Sequence, residues 1–267
     1  MKRILLVLFL CSNCWPGVIA QWKMNDNALS TTVVDSIGPH NGTFKDATGD
    51  PNTSAQNASG RINGALDFDG TDDYVEIADH AAFSPVLKPF SISAWVYMHD
   101  ATSFVIASKG VYNTDAEWEF LIDFNDKLGL VIFDESVDNC YISRTYNTTL
   151  TSYQNSWINV VGTYGGGTTY TSSNLYLNGV SVADAGADAG VFVAVENLNH
   201  AVWVGRYDPD YADGLIDNVV IFDKELTALE VRRLYNGGAG TEYVGRTNLR
   251  TRYTSGYGFN YRNRYKF

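Results

Sequence analysis

The sequence predicts an all-β protein, a two-sheet antiparallel β-sandwich with one short helix near its C-terminal end. Runs of five to eight β-favouring residues recur along the chain, each bounded by Gly, Asn, Asp or Ser. Within "FSISAWVY" the alternation sets Phe90, Ile92, Ala94 and Val96 on one face and Trp95 and Tyr97 on the other, which suits a strand covered on both sides. Two stacked antiparallel sheets provide that cover. Only "LTALEVRRLYNGG" carries the punctuation of a helix.

The first twenty residues combine Lys2 and Arg3, an apolar run from Ile4 to Cys11, and small or short residues at Val18 and Ala20. They are read as a signal peptide, residues 1–20, cut after Ala20. No segment reaches the roughly 20 apolar residues of a spanning helix, so the expected product is secreted, with the cell surface or periplasm as possible destinations. Cys11 and Cys14 leave with the signal, and Cys140 alone remains, so no intramolecular disulfide is available. In "NCYISRTY" it reads as a buried apolar filler. With 45% hydrophobic residues in 267, the chain can bury one sizeable core.

Two of the runs, "ALDF" and "YVEI", lie within "GALDFDGTDDYVEI". Leu66 and Phe68 point to the core from one strand and Val75 and Ile77 from the next, leaving Asp69 to Asp73 as the connection, where Gly70 gives backbone freedom and aspartates cap exposed amides. Asp72 and Asp73 are explained by the turn alone; Asp69 stays open as a metal ligand. Further runs follow in "SFVIAS", "EWEFLIDF", "KLGLVIFD", "SWINVVGTY", "NLYLNG", "AVWVGR" and "GLIDNVVIFD". Trp22 opens the first strand, while Trp95, Trp157 and Trp203 lie in apolar strands and read as core. In the helix, Thr227 and Glu230 fit a capping box, Val231 and Leu234 face inward, and Gly237 supplies the left-handed closing residue.

Taken together, "GALDFDGTDDYVEI", "FSISAWVY", "WINVVGTY", "LYLNG", "VGR" and "GLIDNVVIFDKELTALEVRRLYNGG" resemble, in order and spacing, the laminin-G-like or concanavalin-A-like lectin and glucanase jelly roll. The resemblance covers residues 21–238. Asn159 departs from the histidine that the family often has there, and Asn218 from the acidic residue that often follows the last-strand aspartate. The resemblance implies a carbohydrate-binding domain, and in such families a structural calcium is commonly held by an aspartate at the position of Asp217. The residues alone leave two readings of Asp217. A carboxylate among Leu215, Ile216, Val219 and Val220 needs either a calcium ion or backbone amides to offset its desolvation.

Some relatives of this type are glucanases, and retaining hydrolysis needs two carboxylates about 5 to 5.5 Å apart. Glu117, Glu119 and Asp123 share a strand parity, but the tight acid-x-acid-x-x-acid arrangement is absent. The expectation is therefore a non-catalytic binder, with a glycoside hydrolase and a cell-surface adhesive or protein-binding module as alternatives. A sugar site needs exposed aromatics beside short polar residues. "GRYDPDYADG" offers Tyr207, Asp208, Asp210 and Tyr211 around Pro209, and "SKGVYNTDAEW" offers Lys109, Tyr112, Asn113 and Trp118. Residues 21–238 carry 11 basic against 29 acidic side chains, a net of −18, which disfavours nucleic acid and anionic polysaccharide and favours neutral glycans or a cell-surface protein as partners. Residues 239–267 reverse the sign, with six basic residues against Glu242, and alternate an aromatic with a basic face from Tyr257 to Phe267. This tail is expected to contact anionic envelope surfaces or the acidic domain.

Overall fold

The computed structural model describes residues 17–111, 114–137 and 140–242. The tail beyond Glu242, with its expected basic strand, lies outside them. Two large antiparallel sheets face each other as a β-sandwich jelly roll. One sheet sets Val180–Ser181, Ser173–Leu177, Trp157–Tyr164, Phe90–Met98, Asp213–Phe222, Gly64–Asp69 and Asn57–Ser59 side by side in that order. The other runs Ala185–Ala189, Cys140–Thr145, Leu128–Asp134, Trp118–Ile122, Phe104–Lys109, Val202–Val204, Tyr74–Ile77, Gly42–Lys45 and Thr32–Val33. The sequence order of these strands crosses repeatedly between sheets. Leu66, Phe68, Val75 and Ile77 are all buried as the alternation requires, and the aspartate-rich connection carries the chain from the first sheet into the second.

The side chains that close the space between the sheets come from alternate positions. Phe90, Ile92, Ala94 and Val96 meet Trp118, Phe120 and Ile122 from the opposite sheet in one contiguous core. Cys140 is free and buried at its edge. Val18–Trp22 pairs with the last long strand, matching Ala20 to Ile221 and Trp22 to Val219. In the uncut chain three residues of the expected signal therefore belong to a core strand, and cleavage after Ala20 leaves Gln21 and Trp22 to hold that edge. Gly64–Asp69 and Val18–Trp22 occupy successive halves of one flank of the Asp213–Phe222 strand. The changeover coincides with a register break between Asp217 and Val220, where Asn218 takes φ +49°, a left-handed conformation that Asn tolerates better than most residues.

The helix spans Ala228–Tyr235. Its capping box forms as expected: the Thr227 hydroxyl accepts from the Glu230 amide, and the Glu230 carboxylate accepts from the Thr227 amide at 3.0 Å. Val231 and Leu234 pack with Val161, Tyr176, Val220 and Phe222 on the outer face of the first sheet. The left-handed closing residue is Asn236, with Gly237 following at φ +62°. Thr227→Ala is expected to lower unfolding free energy by about 1 kcal/mol, the usual cost of a lost N-cap, read from the midpoint of denaturant unfolding. Past the helix the chain stays on the domain to at least Glu242, whose carboxylate accepts from the side-chain amides of Asn25 and Asn63. The packed unit thus extends beyond Gly238.

Candidate functional site

Strand parity that buries Trp118, Phe120 and Ile122 must turn Glu119 and Leu121 to the outer face of the second sheet. Cross-strand register places Glu119 beside Ser108 on one side and Val131 on the other, with Ser143 next in the row; the adjacent row reads Val105, Leu121, Gly129 and Thr145. These two rows make a floor. A Cβ built at Gly129 would have as its nearest neighbour the Arg144 carbonyl at 3.8 Å, so packing does not demand a glycine there, and its effect is to deepen the floor.

Over this floor folds the short hairpin Arg206–Tyr207 and Asp210–Tyr211, turning through a cis Asp208–Pro209 bond. Its Tyr207 is only 9% exposed: the ring packs on Val105 and Ala116 and stacks on Phe133 with centroids 6.4 Å apart. Phe133 in turn meets Tyr141 edge-on at 6.2 Å. Asp123 and Phe124 also line the space, the latter 75% exposed. The result is a groove of about 590 Å³ lined by Glu119, Asp123, Phe124, Phe133, Tyr141 and the Tyr207–Asp210 turn above the strand floor. A second cleft of about 550 Å³, lined by Asn25, Asn27, Asn57, Asn63 and Ser59, contains no aromatic ring.

Glu119 is half-buried in the groove. Burial pushes its carboxyl up to about 8, and the nearby charges of Asp210 and Asp123 push the same way, opposed by a hydrogen bond to Tyr207. At neutral pH it is therefore a neutral acid that can both donate and accept. Burial also raises Asp210, against a hydrogen bond from Ser103.

Of the residues singled out in the sequence, Tyr207, Asp208 and Asp210 come together in this groove. Tyr211 does not line it; its ring lies under the Arg206 guanidinium at 5.4 Å, alongside Trp203 at 4.2 Å and Tyr74 at 4.8 Å. Trp118, expected at the site, does not line the groove. It is wholly buried, donates from Nε1 to the Phe83 carbonyl at 2.9 Å and packs on Phe90, so it cannot reach a ligand. Tyr112 and Asn113 lie outside the described residues. Lys109 is likewise no rim residue: it is fully buried, with Nζ 2.8 Å from Asp79 Oδ1, Glu117 Oε1 and the carbonyls of Leu198 and His200. This removes Glu117 from the surface as well. Trp95 and Trp203 are buried as expected, whereas Trp157 is only half-buried, its ring 5.7 Å from Tyr97 on the outer face of the other sheet.

The two expected metal ligands behave differently from each other. Asp69 Oδ1 accepts from the amides of Thr71 at 2.8 Å and Asp72 at 3.3 Å, capping its own turn. Asp217 is fully buried, and its Oδ2 accepts from the Ile62 amide at 2.8 Å. Burial raises this acid to about 8 against that bond, with Glu242 adding to the rise. Gly60 is required beside it, since a Cβ there would fall 2.0 Å from the Gly64 carbonyl oxygen and 2.9 Å from Asp217 Oδ2. Calcium takes six to eight oxygens. Around Asp217 the described residues present one carboxylate oxygen without a hydrogen bond, Oδ1, and the carboxylate of Glu242 is already taken up by Asn25 and Asn63. This donor set fits a neutral, amide-bonded acid better than a calcium ion. Asp46, Asp72 and Asp73, assigned to no ligand from sequence or, for Asp46, not singled out, converge so that one oxygen of each lies within 4.8 Å of the others. Asp73 is 4% exposed and raised to about 7 by burial and by the Asp69 charge.

A family model described as the concanavalin A-like lectin/glucanases superfamily matches residues 69–232. Among solved structures, the chain is similar to domain 4 of AbnA, an extracellular GH43 arabinanase of Geobacillus stearothermophilus in complex with arabinotriose, at TM-score 0.59 and 18% identity over 81% of this chain and 97% of that one. It is also similar to the botulinum neurotoxin serotype D binding domain, at TM-score 0.55, 18% identity and 83% of this chain, and to the binding domain of Paraclostridial Mosquitocidal Protein 1, at TM-score 0.59, 14% identity and 83%. The chain spans 52% of the length of each of these two. No curated protein sequence matches it.

Proposed function

Because the chain belongs to the concanavalin A-like lectin/glucanase superfamily, we propose that it is a secreted glycan-binding domain whose site is the groove on the outer face of the nine-stranded sheet. One observation carries the reading. Aromatic faces and short polar groups converge over a floor that the strands hold rigid, the combination that grips both the C–H face and the hydroxyls of a sugar ring. Exposed Phe124 offers a stacking surface, and neutral Glu119 offers a hydroxyl partner of both polarities. The arabinotriose complex of the arabinanase domain shows that a relative in fold takes a short glycan.

The test uses two variants outside the core. After a glycan array identifies a ligand, calorimetric titration is expected to show Phe124→Ala weakening binding about 2- to 12-fold, the range of one aromatic stack. Gly129→Leu should fill the floor and abolish binding with the melting temperature held, because the added Cβ meets nothing closer than the Arg144 carbonyl at 3.8 Å. Wild-type affinity in Gly129→Leu would remove the site from this groove. Silence across glycans, with a specific protein captured instead, would favour the adhesive module.

A hydrolytic reading is supported by one feature, the raised acid Glu119 close enough to Asp210 and Asp123 to feel their charges. Against it, Glu117 is committed to Lys109 and the second carboxylate of a tight catalytic strand is missing. Reducing ends released from a bound glucan by wild type and not by Glu119→Gln would establish catalysis.

A further inference from the structure

We propose that the groove selects glycans bearing protonated amines, amino sugars, over neutral chains of the same linkage. The inference rests on the groove being a glycan site and names the class of glycan. Asp123, Asp208, Asp210 and Glu119 all line the groove, while no lysine, arginine or histidine is among the described residues that line it. The nearest guanidinium, Arg206, is 3.3 Å from Asp208 Oδ1 and is committed to the rings of Trp203, Tyr74 and Tyr211. Asp123 and Asp210 have no ion pair among the described residues.

The aromatic lining points the same way. The faces of exposed Phe124 and half-buried Tyr141 attract cations as well as apolar C–H groups, so an ammonium beside a sugar ring gains on both counts. Because burial keeps Glu119 neutral at neutral pH, that part of the groove remains suited to hydroxyls. An amine on the ring would then meet an aspartate of the lining while the ring itself stacks on Phe124. A uronic acid or sulfated sugar would meet repulsion at the same place, consistent with the net charge of residues 21–238.

The experiment compares β-1,4-linked tetramers of glucosamine, N-acetylglucosamine and glucose by calorimetry in slightly acidic buffer, at low and at physiological salt. The glucosamine tetramer is expected to bind about tenfold more tightly than either neutral one at low salt, the size expected of two or three exposed charge pairs, and the ratio should shrink as salt rises. In the Asp123→Asn/Asp208→Asn/Asp210→Asn triple variant the three tetramers should bind alike. Equal or weaker binding of the aminated chain by wild type overturns the amine preference while leaving the glycan reading standing. If none of the three binds and the array is silent, the glycan reading itself fails. A lysine tetrapeptide bound as tightly as the glucosamine tetramer would mean that the groove reads charge without reading the sugar, and also overturns the proposal.

Discussion

Lys109→Met is expected to destabilise the protein by about 3–5 kcal/mol, the loss typical when one partner of a buried ion pair is removed. Among the described residues the ammonium is the only cation touching Glu117, which is fully buried and whose Oε1 also accepts from the Leu198 amide at 2.8 Å. It also serves the carbonyls of Leu198 and His200. Burial already raises the Glu117 carboxyl, and Lys109 is the chief opposing influence. Without the lysine, Glu117 must take up a proton, so the variant should lose more stability as pH rises. The Lys109→Met/Glu117→Gln double variant should recover part of the loss by removing the stranded charge. Chemical denaturation measures all three. A single-variant loss below about 1 kcal/mol, with no pH slope of its own, would show that the network is not a structural anchor. The consequence reaches the groove, because Glu117 fixes the start of the strand that carries Glu119.

The second large effect is at Asp217. Asp217→Ala is expected to cost about 2–4 kcal/mol, from the stranded Ile62 amide and the cavity left behind. Asp217→Asn should cost little near neutral pH, because the native acid is already neutral there. The sign of the pH dependence follows. An acid raised to about 8 in the folded state binds its proton more tightly than in the unfolded chain, so its stabilising contribution is full below about pH 4 and is lost as pH rises toward 8. Asp217→Asn should remove that part of the slope, leaving the parts due to Glu119 and Asp73. Calcium distinguishes the alternative. A melting temperature that rises with calcium in wild type and not in Asp217→Asn would assign the ion to Asp217 and contradict the neutral acid.

The fold was legible because it is written in short-range patterns. Alternation in "FSISAWVY" and the capping box at Thr227 and Glu230 depend on neighbours within a few residues, and both appear as expected. The Tyr207–Asp210 turn was legible as a polar aromatic loop, and it does line the groove. What the sequence concealed depends on contacts between distant strands. Trp118 and Glu119 are adjacent, yet one is core and the other faces the groove, and only the sheet register decides which. Lys109 looked like a rim residue because a lysine is seldom buried; its partners Asp79, Leu198 and His200 are remote in sequence. Phe124, Phe133 and Tyr141 gave no signal, since Phe124 stands on the opposite parity from Glu119 and the other two reach the groove only through the register of neighbouring strands, and Gly129, which deepens the floor between them, reads in sequence as an ordinary strand glycine.

The central claim, that the groove is the glycan site, is tested most directly by mapping backbone amide shifts on the isotope-labelled protein during titration with the best ligand from the array. Saturable shifts are expected to be confined to the strand Trp118–Ile122 with Asp123 and Phe124 after it, to Leu128–Asp134 and Cys140–Thr145, and to the Arg206–Tyr211 hairpin. Shifts concentrated instead at Tyr97 and Trp157 on the opposite sheet, or around the asparagine cleft of Asn25, Asn57 and Asn63, would contradict it.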